Sequence, residues 1–411
     1  MSQALASIDA AERPAGLSAV HVVLLNLLLI ADTLFSSRLY RLLGGQSAQQ
    51  AVLGTALAII LGYAAYAFVR ARYMSVLLLA LVFGIIIVQT VSFTWLITVT
   101  PNFNASLQFL WIGAFIVFAS ISADGGREYL VRTLFRYATG YTLLYLVLSA
   151  AFSVHTLPRQ LVDALVLSDP ERGERLFCYS SAVALAFLGW AFQAQRQRSL
   201  TAVLLCILMA MAVWLTLSRV FILILAIICA LIFLTRSFRL ISRGTFITLL
   251  IVSAVNLYGI VDVGWNPFSF FGDDSSGAFR NIEFFVARAQ IWNSPLFGVG
   301  IPPSATDLWA LARQDFFSSG DLGVTGIWLD FGLVGLAMFF LGSYLCTRPI
   351  QAVSDELKWP LSLTGCFIAG YGCLAPVIFY PAGSTYFAVI LGLWVGRPAA
   401  ETSTNRLEQQ R

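Results

Sequence analysis

Charged residues are scarce in this 411-residue sequence. Only 11% of its residues are charged and 59% are hydrophobic, whereas about 25% of the residues in a typical soluble domain are charged. A protein folded in water does not need so much apolar sequence, but a chain that crosses a membrane many times does. The net charge of +4 is small and spread over the connections between apolar segments, which argues against a nucleic-acid partner.

Residues that hold metals or activate nucleophiles are also scarce. The two histidines, His21 and His155, lie far apart, and the six cysteines fall in apolar segments without a C-x-x-C pair. We therefore predict no zinc site and no cofactor. The sequence has neither a G-x-x-x-x-G-K-[ST] loop nor a G-x-S-x-G elbow, so nucleotide hydrolysis is not its energy source. Any reaction must use a substrate that is already activated.

Long apolar runs predict an all-α polytopic membrane protein. A helix needs about 17–25 apolar residues to cross the hydrocarbon layer, and we expect twelve such transmembrane helices. The N-terminal residues carry Asp9, Glu12 and Arg13, unlike the basic start of a cleaved signal peptide, so the first apolar segment is expected to stay. The predicted spans are 17–35, 51–69, 74–97, 106–122, 137–154, 176–193, 199–217, 219–235, 245–261, 323–345, 361–379 and 383–396.

The seventh and eighth spans are nearly continuous, with one arginine between them. As a single helix, 199–235 would be about 55 Å long, which is too long for one crossing. We therefore predict a turn near Thr216–Arg219, with Ser218 capping the helix that follows.

Basic residues predict the orientation. With the N-terminus inside, sixteen of the 25 basic residues lie on the cytoplasmic side and nine outside, as the positive-inside rule favours. Residues 1–261 then hold nine helices, and 262–322 form a large extracytoplasmic loop. Residues 323–396 hold three more helices, and 397–411 form a cytoplasmic tail. Both termini are predicted to be cytoplasmic.

The large loop is patterned enough to predict two short surface helices. In "FRNIEFFVARAQIW" (279–292), apolar side chains recur at helical spacing, and Arg280, Glu283 and Gln290 lie opposite them. "SATDLWALARQDFF" (304–317) begins like a capping box, with Ser304 and Asp307. The apolar side chains at helical spacing in the first helix are Ile282, Phe285, Val286, Ala289 and Trp292.

Arginines are expected to gather on the outer membrane surface. Arg219, Arg280 and Arg288 all fall there in the predicted topology. A guanidinium stays charged and matches phosphate oxygens in a bidentate way. The cluster therefore suits a lipid phosphate or pyrophosphate, with simple anchoring to lipid headgroups as the alternative.

Carboxylates are the other candidates. Asp315 and Asp321 precede the tenth span and Asp330 lies within it. An ionisable residue inside a span is a functional candidate, although an arginine on another helix would also explain it. For Asp32, at the outer end of the first span, we expect a local charge pair with Arg38.

Three segments in order resemble a known family. "LTLSRVFILILAI", "FRNIEFFVARAQIWNSPLFGVG" and "GDLGVTGIWLDFGLVGLAMFF" resemble successive signatures of the O-antigen ligase and Wzy-type polymerase superfamily. The resemblance covers about residues 212–345, together with the twelve-span layout and its large loop before the tenth span. It implies a GT-C-like glycosyltransferase architecture.

Matching residue by residue, Arg219 stands for the family's arginine at the start of a span and Arg280 for the arginine before the P-L-x-G-V-G segment. The matching glycines are Gly298, Gly300, Gly332 and Gly335. Ligases carry a histidine where this chain has Asp321, and an acidic residue there looks more like the exopolysaccharide and O-antigen polymerase branches.

The resemblance implies glycosyl transfer at the outer face of the bacterial cytoplasmic membrane. A glycan on polyprenyl pyrophosphate would pass to another lipid-linked repeat unit, and the implied partners are this lipid-linked oligosaccharide, the bilayer, and a flippase and chain-length regulator of the same pathway. In this view Arg219 and Arg280 hold the pyrophosphate and Asp321 is the general base, with Glu283 or Asp315 as alternatives. The residues expected to bind substrate are Arg288, Glu283, Asp315, Gly298 and Gly300.

Two other functions stay open. A ligase would move a finished glycan to a different acceptor. A transporter or flippase of lipid-linked sugars would be expected to have internal repeats or broken helices at corresponding positions, and the sequence indicates neither.

Overall fold

The structure, a computed structural model, is helical along most of its length. Six helices within the described residues are long and apolar enough to cross a membrane, and three further apolar helices are shorter. The chain is therefore suited to a bilayer, where a helix satisfies its own backbone hydrogen bonds. The described residues are 17–97, 106–169, 173–235, 237–262, 264–271, 275–301, 319–350, 353–375 and 377–396.

The helices are numbered here in chain order. They are α1 (Ala19–Ser36), α2 (Gln46–Val69), α3 (Tyr73–Ile97), α4 (Leu110–Gly113), α5 (Phe115–Ala123), α6 (Arg127–Ser153), α7 (Arg159–Leu165), α8 (Ser180–Gln197), α9 (Leu200–Leu215), α10 (Arg219–Leu234), α11 (Phe238–Val261), α12 (Ser275–Asn293), α13 (Val324–Thr347), α14 (Asp355–Gly372) and α15 (Ser384–Val395). Short 3-10 turns are found at Leu39–Leu43, Ser106–Phe109, Pro267–Phe271 and Ser319–Leu322.

Every predicted span overlaps a helix, but the bounds differ where a helix has a polar end. Helix α6 begins at Arg127 rather than at residue 137, and α14 covers Asp355–Gly372 rather than 361–379. An apolar window cannot detect a polar helical turn that extends beyond it. The number of membrane crossings, twelve, stays a prediction.

One small element is not helical. Strands β1 (Val166–Asp169) and β2 (Gly173–Leu176) pair antiparallel after the short helix α7. The predicted spans leave 155–175 only as a connection, because two four-residue strands are too short to give a clear alternating pattern.

Contacts between helix ends define one end of the bundle, here called the basic end. Arg72 forms an ion pair with Asp124 at 2.7 Å. The Arg127 guanidinium donates to the carbonyl of Gly396 at 3.0 Å. These contacts join the end of α2, the α5–α6 connection and the end of α15. The α8–α9 connection lies at the same end, because α6 and α8 pack antiparallel.

A buried carboxylate joins helices at the opposite end, here called the loop end. Asp32 is only 2% exposed. It accepts hydrogen bonds from Thr385 at 2.7 Å, from Ser36 at 3.0 Å and from the hydroxyl of Tyr179. The predicted pair with Arg38 is therefore wrong, and Arg38 lies over the ring of Phe177 instead, at 4.0 Å. The three hydroxyl groups satisfy the buried carboxylate oxygens of Asp32, so Asp32 does not need a cationic partner.

Helix α13 bends where the segment P-L-F-G-V-G, 295–300, lies against it. The amide of Val299 donates to the carbonyl of Leu329 at 2.7 Å, and that of Gly300 to Asp330 at 3.1 Å. In return, the amide of Leu333 donates to Pro295 at 3.1 Å. The segment thus replaces hydrogen bonds that the bend removes from the helix. We call this contact the glycine lock.

Two glycines permit the glycine lock. Gly332 has φ 64° and ψ −158°, a backbone conformation open only to glycine. A Cβ on Gly332 would lie 2.2 Å from the carbonyl oxygen of Leu296, and one on Gly298 would lie 2.5 Å from that of Leu329. Both distances are too short for any other residue, so these motif glycines are required by close backbone packing.

Candidate functional site

The predicted turn between the seventh and eighth spans is present. Helix α9 ends at Leu215, Leu217 has φ 51°, and α10 begins at Arg219, which is exposed. Ser218 occupies the N-cap position, but its side chain makes no capping hydrogen bond and bonds to Tyr371 instead. The predicted capping bond is therefore wrong, because the Ser218 side chain bonds to Tyr371 and not to the backbone of α10. The serine tethers the turn to the end of α14, directly beside Arg219.

Tyr371 is where several elements of the loop end meet. Its hydroxyl lies within the electrostatic reach of Arg280 on α12 and Arg175 on β2. Arg175 also donates to the carbonyl of Thr216 at 2.9 Å, so the hairpin supports the α9–α10 turn. The Nε of Arg175 is buried and has no hydrogen-bond partner within the described residues. The guanidinium of Arg175 therefore keeps one donor that the described contacts do not use.

Asp321 lies beside this cluster, in the 3-10 turn that precedes α13. Burial raises the pKa of its carboxyl, and the positive charge of Arg280 partly opposes this by lowering the pKa. The structure thus brings together Arg280 and Asp321, two of the three residues predicted to be catalytic. Arg219 is placed near them by the bond between Ser218 and Tyr371.

The first predicted helix is confirmed as α12, and its packed face is a different stripe from the apolar one identified in the sequence. Phe284, Ala287 and Ile291 are fully buried, whereas Ile282 and Trp292 are exposed, at 45% and 57%. The sequence has two apolar stripes here, and periodicity alone cannot tell a protein-facing stripe from a lipid-facing one. The more aromatic stripe is the one left outside, as in a helix that lies in a membrane interface.

The other predicted binding residues have different surroundings. Glu283 is 1% exposed, within the packing of α12. The guanidinium of Arg288 lies 5.3 Å from the ring of Phe285. The pKa of Asp262 is lowered mainly by the hydrogen bond from the amide of Gly264. The charge of Arg288 adds a smaller effect in the same direction. Asp315 and the predicted helix 304–317 lie outside the described residues.

Gly298 and Gly300 belong to the glycine lock. Both have positive φ, and the amide of Gly300 bonds to α13. This gives them a structural role that the motif did not indicate. Direct substrate contact by either glycine stays a prediction.

Asp330, the candidate within a span, is held by hydroxyl groups. Its Oδ2 accepts from Ser319 at 2.7 Å and from Tyr380 at 3.0 Å. Its Oδ1 is buried and has no hydrogen-bond partner in the described part of the chain. The alternative explanation, an ion pair with an arginine on another helix, is not found among the described contacts of Asp330. Because Ser319 and Asp321 share one 3-10 turn, Asp330 links that turn to the bend of α13.

Sequence reasoning missed the tyrosines and Arg175. Tyr371 and Tyr380 lie near the predicted span 361–379, and a tyrosine in an apolar run gives no signal of its own. Arg175 lies in a connection between two predicted spans, and its partner Thr216 is distant in the chain. Among the described residues, no group of three or more His, Cys, Asp and Glu side chains is arranged to hold a metal ion.

The chain was also compared with known proteins. No protein-family model, no curated protein and no solved structure matches it.

Proposed function

We propose that this protein is a membrane glycosyltransferase that polymerises a polysaccharide. It would transfer a glycan from polyprenyl pyrophosphate to another lipid-linked repeat unit at the outer face of the bacterial cytoplasmic membrane. One observation carries the proposal: the charge of Arg280 acts on both Asp321 and Tyr371, and Tyr371 tethers the turn that carries Arg219. Because Arg219, Arg280 and Asp321 come from the three segments that resemble one family's signatures, the contacts support the proposal of a single site.

The basic residues of the site suit a pyrophosphate. The charges of Arg280 and Arg175 both act on Tyr371, and Arg219 directly follows Ser218, which bonds to Tyr371. Guanidinium groups hold phosphate oxygens in a bidentate way and stabilise the charge that develops as the leaving group departs. Arg219 also stands at the first turn of a helix, where the helix dipole favours an anion.

Asp321 suits the role of general base. In the proposed reaction the acceptor hydroxyl oxygen bonds to the anomeric carbon of the donor, and its proton passes to the Asp321 carboxylate. The bond from the anomeric carbon to the pyrophosphate oxygen breaks, and polyprenyl pyrophosphate leaves with the electron pair. A carboxylate whose pKa is raised by burial is a stronger base than an exposed one.

The exposed face of α12 supports access from the membrane. Phe279, Ile282, Phe285 and Trp292 are exposed along it, and Leu296 and Phe297 of the following segment are also exposed. In the proposed twelve-span topology this surface lies at the outer lipid interface, where aromatic side chains are favoured. A polyprenyl substrate could then reach Arg280 sideways from the bilayer.

The experiment is an analysis of lipid-linked intermediates in a strain that lacks this protein. Single repeat units on polyprenyl pyrophosphate should accumulate outside the membrane, and long polymer should be absent. Accumulated long chains would identify a ligase instead. Accumulation of single units on the cytoplasmic side would identify a transporter. Restoring the gene should restore polymer, whereas restoring the Arg280→Ala variant should not.

A further inference from the structure

A cavity at the basic end lies far from this site. It has a volume of about 680 Å³ and opens between the ends of α8 and α10 and the starts of α11 and α14. Its lining combines polar residues, Gln195, Arg196, Arg198 and Thr235, with apolar ones, Phe192, Ile232, Phe233, Ile241 and Trp359. The proposed transferase chemistry makes no use of it.

The apolar wall of the cavity is rigid. The ring of Trp359 stacks on that of Phe192, with 5.7 Å between the ring centroids. It packs edge to face against Phe238, with 5.3 Å between the centroids. On the other side, the amide of Gln195 donates to the carbonyl of Ile232 at 2.8 Å. Contacts between four helices, α8, α10, α11 and α14, thus surround the opening, so the cavity does not depend on a loose loop.

The polar rim is positively charged. Arg196 and Arg198 line the cavity, and no carboxylate is among its described lining residues. Asp355 lies just outside, 3.9 Å from Arg196 and 3.7 Å from Lys358. That one carboxylate faces two cations, and it is more than half exposed, so it neutralises Arg196 only in part.

The cavity also opens to the side. Helices α10 and α11 follow one another in the chain but their described residues barely contact each other, and each packs instead against α14. The side chains beside this gap are apolar and exposed, with Phe233 at 56%, Leu234 at 82% and Leu240 at 63%. In a bilayer such side chains face the acyl chains. A soluble anion would use only the basic rim. The apolar groove beside the rim is suited to a ligand that also has an acyl chain.

We propose that this cavity binds an anionic phospholipid of the surrounding bilayer. Its phosphate headgroup would lie between Arg196 and Arg198, and an acyl chain would occupy the groove between α10 and α11. The position fits, because the ends of membrane helices lie at headgroup depth, and basic pockets between helices recognise anionic lipids. The inference concerns the end of the bundle opposite to Arg280 and does not depend on the transferase activity.

The test is a lipid titration by native mass spectrometry. The purified full chain, stripped of lipid in detergent, is titrated with phosphatidylglycerol or with phosphatidylcholine carrying the same acyl chains. We expect one phosphatidylglycerol to bind well before any phosphatidylcholine. The double variant Arg196→Gln with Arg198→Gln should weaken that binding about thirtyfold, the loss expected from removing two arginines near a headgroup. Arg196→Lys with Arg198→Lys should retain most of it.

The matched control is Arg70→Gln with Arg132→Gln, which removes two charges from the same end outside the cavity. It should change phosphatidylglycerol binding by less than about twofold. An equal loss of phosphatidylglycerol binding in the control, or equal binding of the two lipids, would overturn the proposal. Either result would mean that the cavity does not select the anionic headgroup. Inorganic phosphate that binds alone with the same affinity as the lipid would also overturn it. The unfolding temperatures of all variants identify any that are misfolded.

Discussion

The amide of Val299 donates to the carbonyl of Leu329 at 2.7 Å, and this bond joins two segments that the sequence presents as separate motifs. The P-L-F-G-V-G segment crosses the bend of α13, and the glycines on both sides are needed for the approach. The loop-end site depends on this contact, since Asp321 immediately precedes α13 and Arg280 lies on the helix that leads into the segment.

Gly332→Ala should destabilise the protein severely. The added Cβ would lie 2.2 Å from the Leu296 carbonyl oxygen, and alanine is strained at φ 64°. We expect a loss of at least about 2 kcal/mol, measured as the unfolding temperature in detergent. Gly140→Ala is the matched control, because nothing lies within 4 Å of its added Cβ and alanine favours a helix. Equal stability of the two variants would contradict the glycine lock.

Asp32→Ala should also unfold more easily. The substitution leaves the hydroxyls of Tyr179, Thr385 and Ser36 without their buried acceptor. The expected cost is about 3 kcal/mol, because each unsatisfied group carries a desolvation penalty. Asp355→Ala removes an exposed carboxylate and should cost less than about 0.5 kcal/mol. Thermal unfolding of both variants decides whether the Asp32 contacts stabilise the fold.

Ser218→Ala and Tyr371→Phe should lower polymer formation by similar factors. Each removes the tether beside Arg219, and a lost hydrogen bond of about 1 kcal/mol corresponds to roughly a fivefold change in rate. The double variant should be no worse than either single one. Tyr258→Phe, which removes a hydroxyl bonded to Asp262 at 2.9 Å, is the control and should be neutral. Additive losses would exclude the tether as their common cause.

Asp321 should determine how the rate depends on pH. A general base acts only when ionised, so the rate should rise with pH through the raised pKa of Asp321 and level off above it. Asp321→Asn should lower the rate by about a hundredfold or more and remove this rise. Glu283→Gln and Asp315→Asn should keep the rise. If the rise persists in Asp321→Asn and disappears in either of the other variants, the base is misassigned.

Apolar length predicted where helices lie, because the cost of exposing backbone in a bilayer dominates the local choice of structure. The turn before Arg219 is an example: the combined length of two nearly continuous spans predicted it, and the structure contains it. The face of α12 could not be predicted, because Ile282 and Ile291 are equally apolar, and only the packing decides which one faces protein.

The site was predicted in part. Arg280 and Asp321 carry charge in a charge-poor sequence and therefore stand out, and the structure brings them together. Tyr371 and Arg175 did not stand out, because their importance comes from partners that are distant in the chain. The roles of Gly298 and Gly332 also became visible only with the backbone of α13 in place.

The most direct test of the central proposal uses the purified protein in vesicles with a polyprenyl-pyrophosphate-linked repeat unit as the only substrate. Products are separated by glycan length, and released polyprenyl pyrophosphate is measured in parallel. The parent protein should produce longer lipid-linked glycans with one polyprenyl pyrophosphate released per bond formed. Arg280→Ala should produce neither, whereas Arg159→Ala, which removes another arginine of the loop end, should behave as the parent. Equal polymer from Arg280→Ala and the parent, or no elongation by the parent, would contradict the account.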